Sequence, residues 1–264
     1  VNAAGRMGDA RAAFELFISD DESEIYDLSV KLCLYNTERQ KYCDELYASA
    51  KQKLLKKGVY GNVIMLSDES WNTGFIGIVA ARLAEEYARP TLLFVHHGDM
   101  LKGSARSIES VNIFNALKNC SEYIEEFGGH AQAAGVNLRI ENFEKLENAL
   151  NQEIGNNYQR EDFEPKIYVS EEITTRFSDK LAREIVRMEP FGVGHRRPLF
   201  MLSVNACVAK PIKNGSPHLS IKSDYIDLTY FSGLKNLKII ESDVDKKIVF
   251  EVSVSHFKGR EYIK

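Results

Sequence analysis

Between Ala10 and about Lys56 the apolar side chains Phe14, Phe17, Ile25, Leu28, Leu32, Tyr35, Tyr42 and Leu46 recur mostly at intervals of three, four or seven, the repeat of one helical face. The polar stretch Ser19 to Asp21 interrupts that repeat and predicts two helices. The second, from about Ser23 to Leu55, exceeds the usual length of a globular helix and is expected to bridge two lobes. After the break at Lys57 to Gly61, the run Asn62 to Leu66 reads as a buried strand, Gly74 to Ala88 as a helix ending before Pro90, and Thr91 to Val95 as the next strand. Leu101 to Ser107 reads as a strand, Asn112 to Asn119 and Glu122 to Phe127 as helical, and Gly128-Gly129-His130 as a turn leading into a helix or strand that reaches Ile140. Strand and helix alternate, so an α/β section is expected. The polar, aperiodic stretch from Gly155 to Pro165 reads as a linker. Beyond it come one helix, Ser178 to Met188, with Leu181, Ile185 and Met188 on one stripe, and then short strands near Leu199 to Ala209, His218 to Ser223, Ile226 to Phe231, Ile248 to Ser255 and Arg260 to Ile263. Several short strands in one segment predict a small closed β-barrel of the OB type.

The 264 residues are 44% hydrophobic and 27% charged, with 17 Gly and 6 Pro, which excludes a disordered, collagenous or low-complexity chain. No apolar run approaches the roughly 18 residues of a membrane span, so no membrane association is expected. Cys33, Cys43, Cys120 and Cys207 are widely spaced. They form neither a metal knuckle nor a dense disulfide framework, and a reducing cytoplasm is expected. The formal net charge of -4 conceals an asymmetry: residues 1–164 carry 17 Lys and Arg against 26 Asp and Glu, residues 165–264 carry 17 against 12. A basic last third can attract a polyanion although the whole chain is acidic.

Candidate chemistry sits in a few short segments. Gly103-Ser104-Ala105-Arg106-Ser107 follows a strand; glycine and small residues let backbone approach an anion, Ser104 offers a hydroxyl, and Arg106 can grip a phosphate with two N–H groups. Phe127-Gly128-Gly129-His130-Ala131-Gln132-Ala133-Ala134-Gly135 combines glycines with small residues that would let a helix pack beneath His130, holding the imidazole at a cleft. Trp71 to Leu83 reads mainly as helix packing, with Gly77 and its alanines inviting close approach. His96-His97-Gly98-Asp99 stands at a strand end before a polar turn and is not expected to ligate a metal.

These segments occur in a particular order: Asn-Ala-Ala-Gly-Arg at 2 to 6, Gly-Ser-Ala-Arg-Ser at 103 to 107, Gly-Gly-His-Ala-Gln-Ala-Ala-Gly at 128 to 135 and Pro-Phe-Gly at 190 to 192. In that order the chain resembles the RecJ-type single-strand-specific 5'-to-3' exonucleases of the DHH phosphoesterase superfamily. The resemblance implies the end of a DHH domain at residues 1–22, a bridging helix at 23–57, an α/β DHHA1 domain at 58–156 and an OB-type nucleic-acid-binding domain at 165–264. It implies that Arg6, Ser104 and Arg106 hold a 5'-terminal phosphate, that Asn2 belongs to the same turn as Arg6, and that His130 faces the catalytic cleft. It further implies Mn²⁺ or Mg²⁺ as cofactor, bound by residues absent from this chain, which begins at Val1 and contains no Asp-His-His; taken alone the chain is then expected to be inactive. The implied role is DNA repair and recombination, with single-stranded DNA and other DNA-repair proteins as partners. Two positions depart from the family pattern: Asn72 stands where histidine is usual and His195 where asparagine is usual. A short-oligonucleotide or cyclic-dinucleotide phosphodiesterase, or a noncatalytic nucleic-acid-binding scaffold, stays open as an alternative. In the last segment Tyr225, Tyr230 and Phe257 are candidates for stacking on bases.

Overall fold

The computed structural model describes the chain except residues 59, 193, 206, 258, 259 and 264; for 256, 257 and 260–263 only the backbone is described, so the Phe257 side chain lies outside the described residues. The residues divide into two compact units, Val1–Pro165 and Lys166–Lys264.

The first unit opens with α1 (Ala4–Met7) and α2 (Arg11–Ile18), followed by the 36-residue α3 (Glu22–Lys57). Asp21 starts α3 by accepting from the backbone N–H groups of Ser23 and Glu24, an N-cap that satisfies donors the helix itself cannot. Gly58, at φ 80°, ends it. Leu28 and Leu32 pack with Ala4, Ala12 and Ala13, whereas Cys43, Leu46, Ala50 and Leu54 join a second cluster with Ile64, Phe75 and Leu83. One helix thus carries two buried stripes, one on each core. Contrary to the expected apolar face, Phe14 and Phe17 are exposed: α2 buries Ala12 and Ala13 instead, because small side chains let two helices approach closely.

The sheet contains β1 (Ile64–Asp68), β2 (Thr91–His97), β3 (Met100–Arg106), β4 (Glu126–His130) and β5 (Ala133–Arg139), in the order β1-β2-β3-β5-β4. The β1-β2 pair is parallel and is connected through α4 (Thr73–Tyr87); all other pairs are antiparallel. Alternate residues face opposite sides. Leu92, Phe94, Leu101, Ala105, Ala134, Val136 and Leu138 meet α5 (Ile113–Asn119) and α6 (Phe143–Asn157) on one side. On the other side Ile64, Leu66, Leu93 and Val95 meet α4 and the end of α3.

Three local expectations change. Gly128-Gly129-His130 is strand, not turn, and the two-residue turn falls at Ala131 and Gln132. Helix α5 packs on the face of β4 opposite His130, Phe114 meeting Phe127 at 5.6 Å, and the small residues after His130 form β5, hydrogen-bonded on both edges to β3 and β4. Of Glu122 to Phe127 only Ser121–Tyr123 is helical, a single 3₁₀ turn, because the ladder to β5 claims the residues from Glu126 onward. The expected linker is largely ordered structure. Helix α6, unrecognised in the sequence, buries Leu146, Leu150 and Ile154 and extends to Asn157, and Phe163 is buried beneath the Arg89 guanidinium, 4.2 Å from its ring centroid.

In the second unit β6 (Glu171–Glu172) and α7 (Asp179–Val186) precede β7 (Leu199–Val204), β8 (Val208–Pro211), β9 (Leu219–Lys222), β10 (Asp227–Tyr230), α8 (Leu237–Ile240), β11 (Lys246–Glu251), β12 (Val254–Phe257) and β13 (Arg260–Ile263). They form sheets of order β11-β7-β6 and β10-β9-β8 and a β12-β13 hairpin around a core of Phe200, Leu202, Leu219, Ile221, Phe250 and Val252. The expected closed barrel is not seen among the described residues. β10 and β11 are edge strands, and a cavity of about 560 Å³ lined by residues of both, among them Leu228 and Ile248, takes the place of a ladder. Among the described residues no helix is long and apolar enough to cross a membrane.

One polar clamp ties α3 to β1. Lys53 Nζ lies 2.8 Å from Asp68 Oδ2, and the Ser70 backbone N–H and hydroxyl both donate to Asp68 Oδ1. Burial alone raises the Asp68 carboxyl, but the hydrogen bonds from Lys53 and Ser70 outweigh it and hold the group at about 2, below its ordinary 3.8. A depressed carboxyl stabilises the fold above the unfolded-state value and loses that contribution as pH falls through the folded one. Asp68→Asn is therefore expected to lower stability at neutral pH by roughly 1–2 kcal/mol, allowing for screening at the exposed Lys53. It should also flatten the fall in stability between about pH 4 and pH 2, as read by urea denaturation across that range.

Candidate functional site

The helices leave part of the sheet bare. α4 lies over β2 and the near edge of β3, and beyond it the face of β3, β5 and β4 borders a cleft of about 560 Å³, with Thr73 and Ile76 of α4 as one wall. Residues in register on neighbouring strands project to the same side, so the floor is built in rows. Arg106, Ala133 and His130 form one row, Ser104, Gly135 and Gly128 the next, and Lys102, Asn137 and Glu126 a third. A Cβ added to Gly128 or Gly135 would meet nothing within 4 Å. Neither has a positive φ, so the fold itself does not call for glycine there, and the middle row is a floor of bare backbone open to whatever fills the cleft.

The cations gather where α4 begins. Asn72 caps that helix by accepting from Gly74 N–H at 2.8 Å, which gives the residue at this departure from the family pattern a structural task. Arg6, carried on α1, donates through Nη1 to the Gly74 carbonyl. One turn further along α4, Arg106 and Ser104 lie against Gly77, and Arg106 Nη1 donates to Ser104 Oγ at 2.9 Å and to the Ala105 carbonyl at 2.7 Å. Burial lowers the Arg106 guanidinium from its ordinary value and the nearby positive charge of Arg6 lowers it further. Among the described residues neither arginine has a carboxylate partner. Two guanidinium groups close together without a counter-charge form a site that favours an anion with several acceptor oxygens.

The structure thus brings Arg6, Ser104 and Arg106 into one group. His130 is exposed and lies two strands from Arg106 in the same row, about 10 Å away at the usual strand spacing. Its Nδ1 accepts from the Gln132 backbone N–H at 3.3 Å, which leaves the proton of a neutral ring on Nε2. Asn2 is exposed in the turn before α1 and makes no side-chain hydrogen bond among the described residues. Sequence reasoning missed the third row, Lys102, Asn137 and Glu126, where Asn137 donates to Glu126 at 3.0 Å; only the strand register joins these residues. Pro190-Phe191-Gly192 belongs to no site. Phe191 packs on His195 and under Arg197, and His195 Nε2 sits 2.9 Å from the Met188 carbonyl oxygen. In the second unit Tyr225 is half-buried against the core. Tyr230 lies against Gly233 and accepts from Asn236. Phe231, after β10, is 66% exposed and held edge-on by His218 at 5.4 Å, and Tyr168 is 69% exposed.

Two domain families match the chain, one over the α/β sheet and one over the second unit. The DHHA1 domain matches residues 57–156 and the RecJ OB domain matches residues 173–264. The single-stranded-DNA-specific exonuclease RecJ of Bacillus subtilis is 30% identical, over 98% of this chain and 34% of that protein, and the protein of the same name from Haemophilus influenzae is 27% identical, over 98% and 48%. The crystal structure of Thermus thermophilus RecJ in complex with Mg²⁺ has the same fold, with a TM-score of 0.78 at 24% identity, over all of this chain and 41% of that one. The chain belongs to the RecJ family. It spans between about a third and a half of the length of these relatives.

The cleft residues of this chain do not fit a paired-metal centre. His130 Nδ1 is engaged by Gln132, Glu126 by Asn137, and among the described residues no group of three or more His, Cys, Asp or Glu side chains is arranged to hold an ion.

A half-buried cation beside another cation costs stability unless an anion compensates it. Arg106→Met is therefore expected to leave the unfolding midpoint in phosphate-free buffer unchanged or slightly raised. Inorganic phosphate should raise the midpoint of the wild-type chain and not that of the variant, as measured by thermal unfolding at matched ionic strength.

Proposed function

We propose that this chain is the substrate-holding part of a single-strand-specific DNA exonuclease that works from 5' ends in DNA repair and recombination. Arg6, Arg106 and Ser104 bind the 5'-terminal phosphate, with Asn2 on the same turn as Arg6. His130 acts beside the scissile bond. The Mn²⁺ or Mg²⁺ ions required for hydrolysis are held by residues outside this chain. The observation that carries the reading is the pair of arginines near the start of α4 with no acidic partner among the described residues, beside the Ser104 hydroxyl and the glycine floor. A terminal phosphate carries more charge than an internal diester and accepts from several donors at once, so this group distinguishes a 5' end from the middle of a strand. Membership of the RecJ family supports the reaction class. The OB-type unit favours a polymeric strand over a short oligonucleotide or cyclic dinucleotide, and Phe231 offers its exposed ring as a stacking platform for a base.

Losing one charge-assisted contact to a phosphate costs roughly 1.5–3 kcal/mol. Arg106→Ala is accordingly expected to erase most of the chain's preference for a 5'-phosphorylated over a 5'-hydroxyl oligonucleotide of the same sequence, measured by fluorescence anisotropy; an unchanged preference would mean that the phosphate binds elsewhere.

Phe231→Ala should weaken binding of a longer single strand by about 1–3 kcal/mol without altering the 5'-phosphate preference. The log of the affinity should fall with the log of salt concentration by about 0.7 for each phosphate neutralised, in both wild type and variant. Equal affinities of wild type and Phe231→Ala at every salt concentration would remove the ring from the interface.

A further inference from the structure

We propose that Gly77 of α4 is a positioning residue for the terminal phosphate: the side chain it lacks is the space in which the Arg106 guanidinium and the Ser104 hydroxyl are held together. The inference rests on the phosphate-binding reading above and adds to it the element that sets the geometry of the two groups.

Gly77 sits within a 15-residue helix and has no positive φ. Glycine in a helix interior costs about 1 kcal/mol relative to alanine, and the backbone conformation here gives no reason to accept that cost. The neighbours supply one. A Cβ at this position would lie 2.8 Å from Arg106 Nη2, 2.9 Å from Ser104 Oγ and 3.3 Å from Arg106 Cζ. These three nearest atoms all belong to two polar side chains, and none to the backbone or to an apolar core residue. Gly103, on the adjacent strand, is the opposite case: its Cβ would strike the buried Phe94 ring at 2.3 Å, so that glycine serves core packing.

The consequence for the cluster follows from its hydrogen bonds. Arg106 Nη1 is committed to Ser104 Oγ and the Ala105 carbonyl, while Nη2 lies over Gly77. Ser104 Oγ, accepting from Arg106, keeps its own proton to donate. A methyl group at 77 would push the guanidinium plane and the hydroxyl away from the start of α4, where Arg6 is anchored on Gly74. Because a guanidinium terminus moves easily, the fold would absorb the methyl group and the phosphate site would not.

The test uses the whole chain and one single-stranded oligonucleotide in 5'-phosphorylated and 5'-hydroxyl forms, with wild type, Gly77→Ala, Arg106→Ala and the double variant. Gly77→Ala is expected to unfold at the wild-type midpoint or slightly above it, alanine being the better helix former, and to lose about tenfold of the 5'-phosphate preference, the worth of one displaced charge-assisted contact. In the Arg106→Ala background it should have little further effect on that preference, since Arg106→Ala has already erased most of it and what Gly77→Ala still reaches is Ser104 alone. Affinity for the 5'-hydroxyl strand should stay at the wild-type value in Gly77→Ala. If Arg106→Ala abolishes the preference and Gly77→Ala retains it, the positioning role is overturned and the phosphate site stands. If Gly77→Ala lowers the unfolding midpoint and weakens both strands equally, Gly77 is a packing residue and the proposal is overturned. If neither substitution alters the preference, the phosphate site itself is misplaced and the positioning role falls with it.

Discussion

Two guanidinium groups held close together without a carboxylate between them set the demands on the rest of the first unit. Like charges repel, and burial strips hydration from Arg106 while Arg6 stays exposed. The protein keeps them in place by tying each to backbone oxygen: Arg6 to the Gly74 carbonyl at the start of α4, Arg106 to the Ala105 carbonyl of its own strand. The Arg6 anchor depends on α4 lying where it does across β2 and β3. That position depends in turn on the apolar side chains Phe75, Ile76, Val79 and Leu83, which bury one face of the helix against the sheet and α3. Burial of apolar surface thus sustains two like charges side by side, an arrangement that is electrostatically unfavourable on its own.

The same asymmetry of coverage makes the cleft. Both faces of β1 and β2 are packed, whereas β3, β5 and β4 are covered by α5 and α6 on one side and left bare beyond α4 on the other. A bare sheet face of branched apolar side chains would be an adhesive patch. Here the exposed rows carry glycine, serine, asparagine, lysine and glutamate instead, and the glycines leave backbone at the surface. The result is a polar trough floored by glycine backbone.

Local elements were legible in the chain wherever the hydrophobic repeat was strong. Leu28, Leu32 and Leu46 announce α3, and Leu92, Leu93 and Phe94 announce β2, because a buried stripe or a buried run is a property of residues close in sequence. Reading failed where long-range pairing overrode local preference. Gly128 to His130 looked like a turn and became strand because β5 supplies a ladder partner. Phe14 and Phe17 fit a buried helical face and lie exposed because α2 docks through Ala12 and Ala13. In the second unit the alternating strands were visible, but whether β10 and β11 would pair was not, since that depends on how two separate sheets approach.

The candidate site divides in the same way. Ser104, Arg106 and His130 could be singled out from short glycine-bearing motifs, since glycine beside such residues is a local signal of close backbone approach, whereas Arg6 stands out only through the family resemblance. That Arg6 would come close to Arg106, that Gly128 and Gly135 would line a floor in register with Ser104, and that Gly77 would lie beneath the guanidinium were decided by the tertiary structure alone. The physical reason is separation: the Arg6 to Gly74 contact spans 68 residues, and no propensity or spacing rule acts over that distance. The sequence by itself determined which residues carry charge, where glycine removes a side chain and which segments bury a stripe; packing of α4 on the sheet decided which of those charges meet.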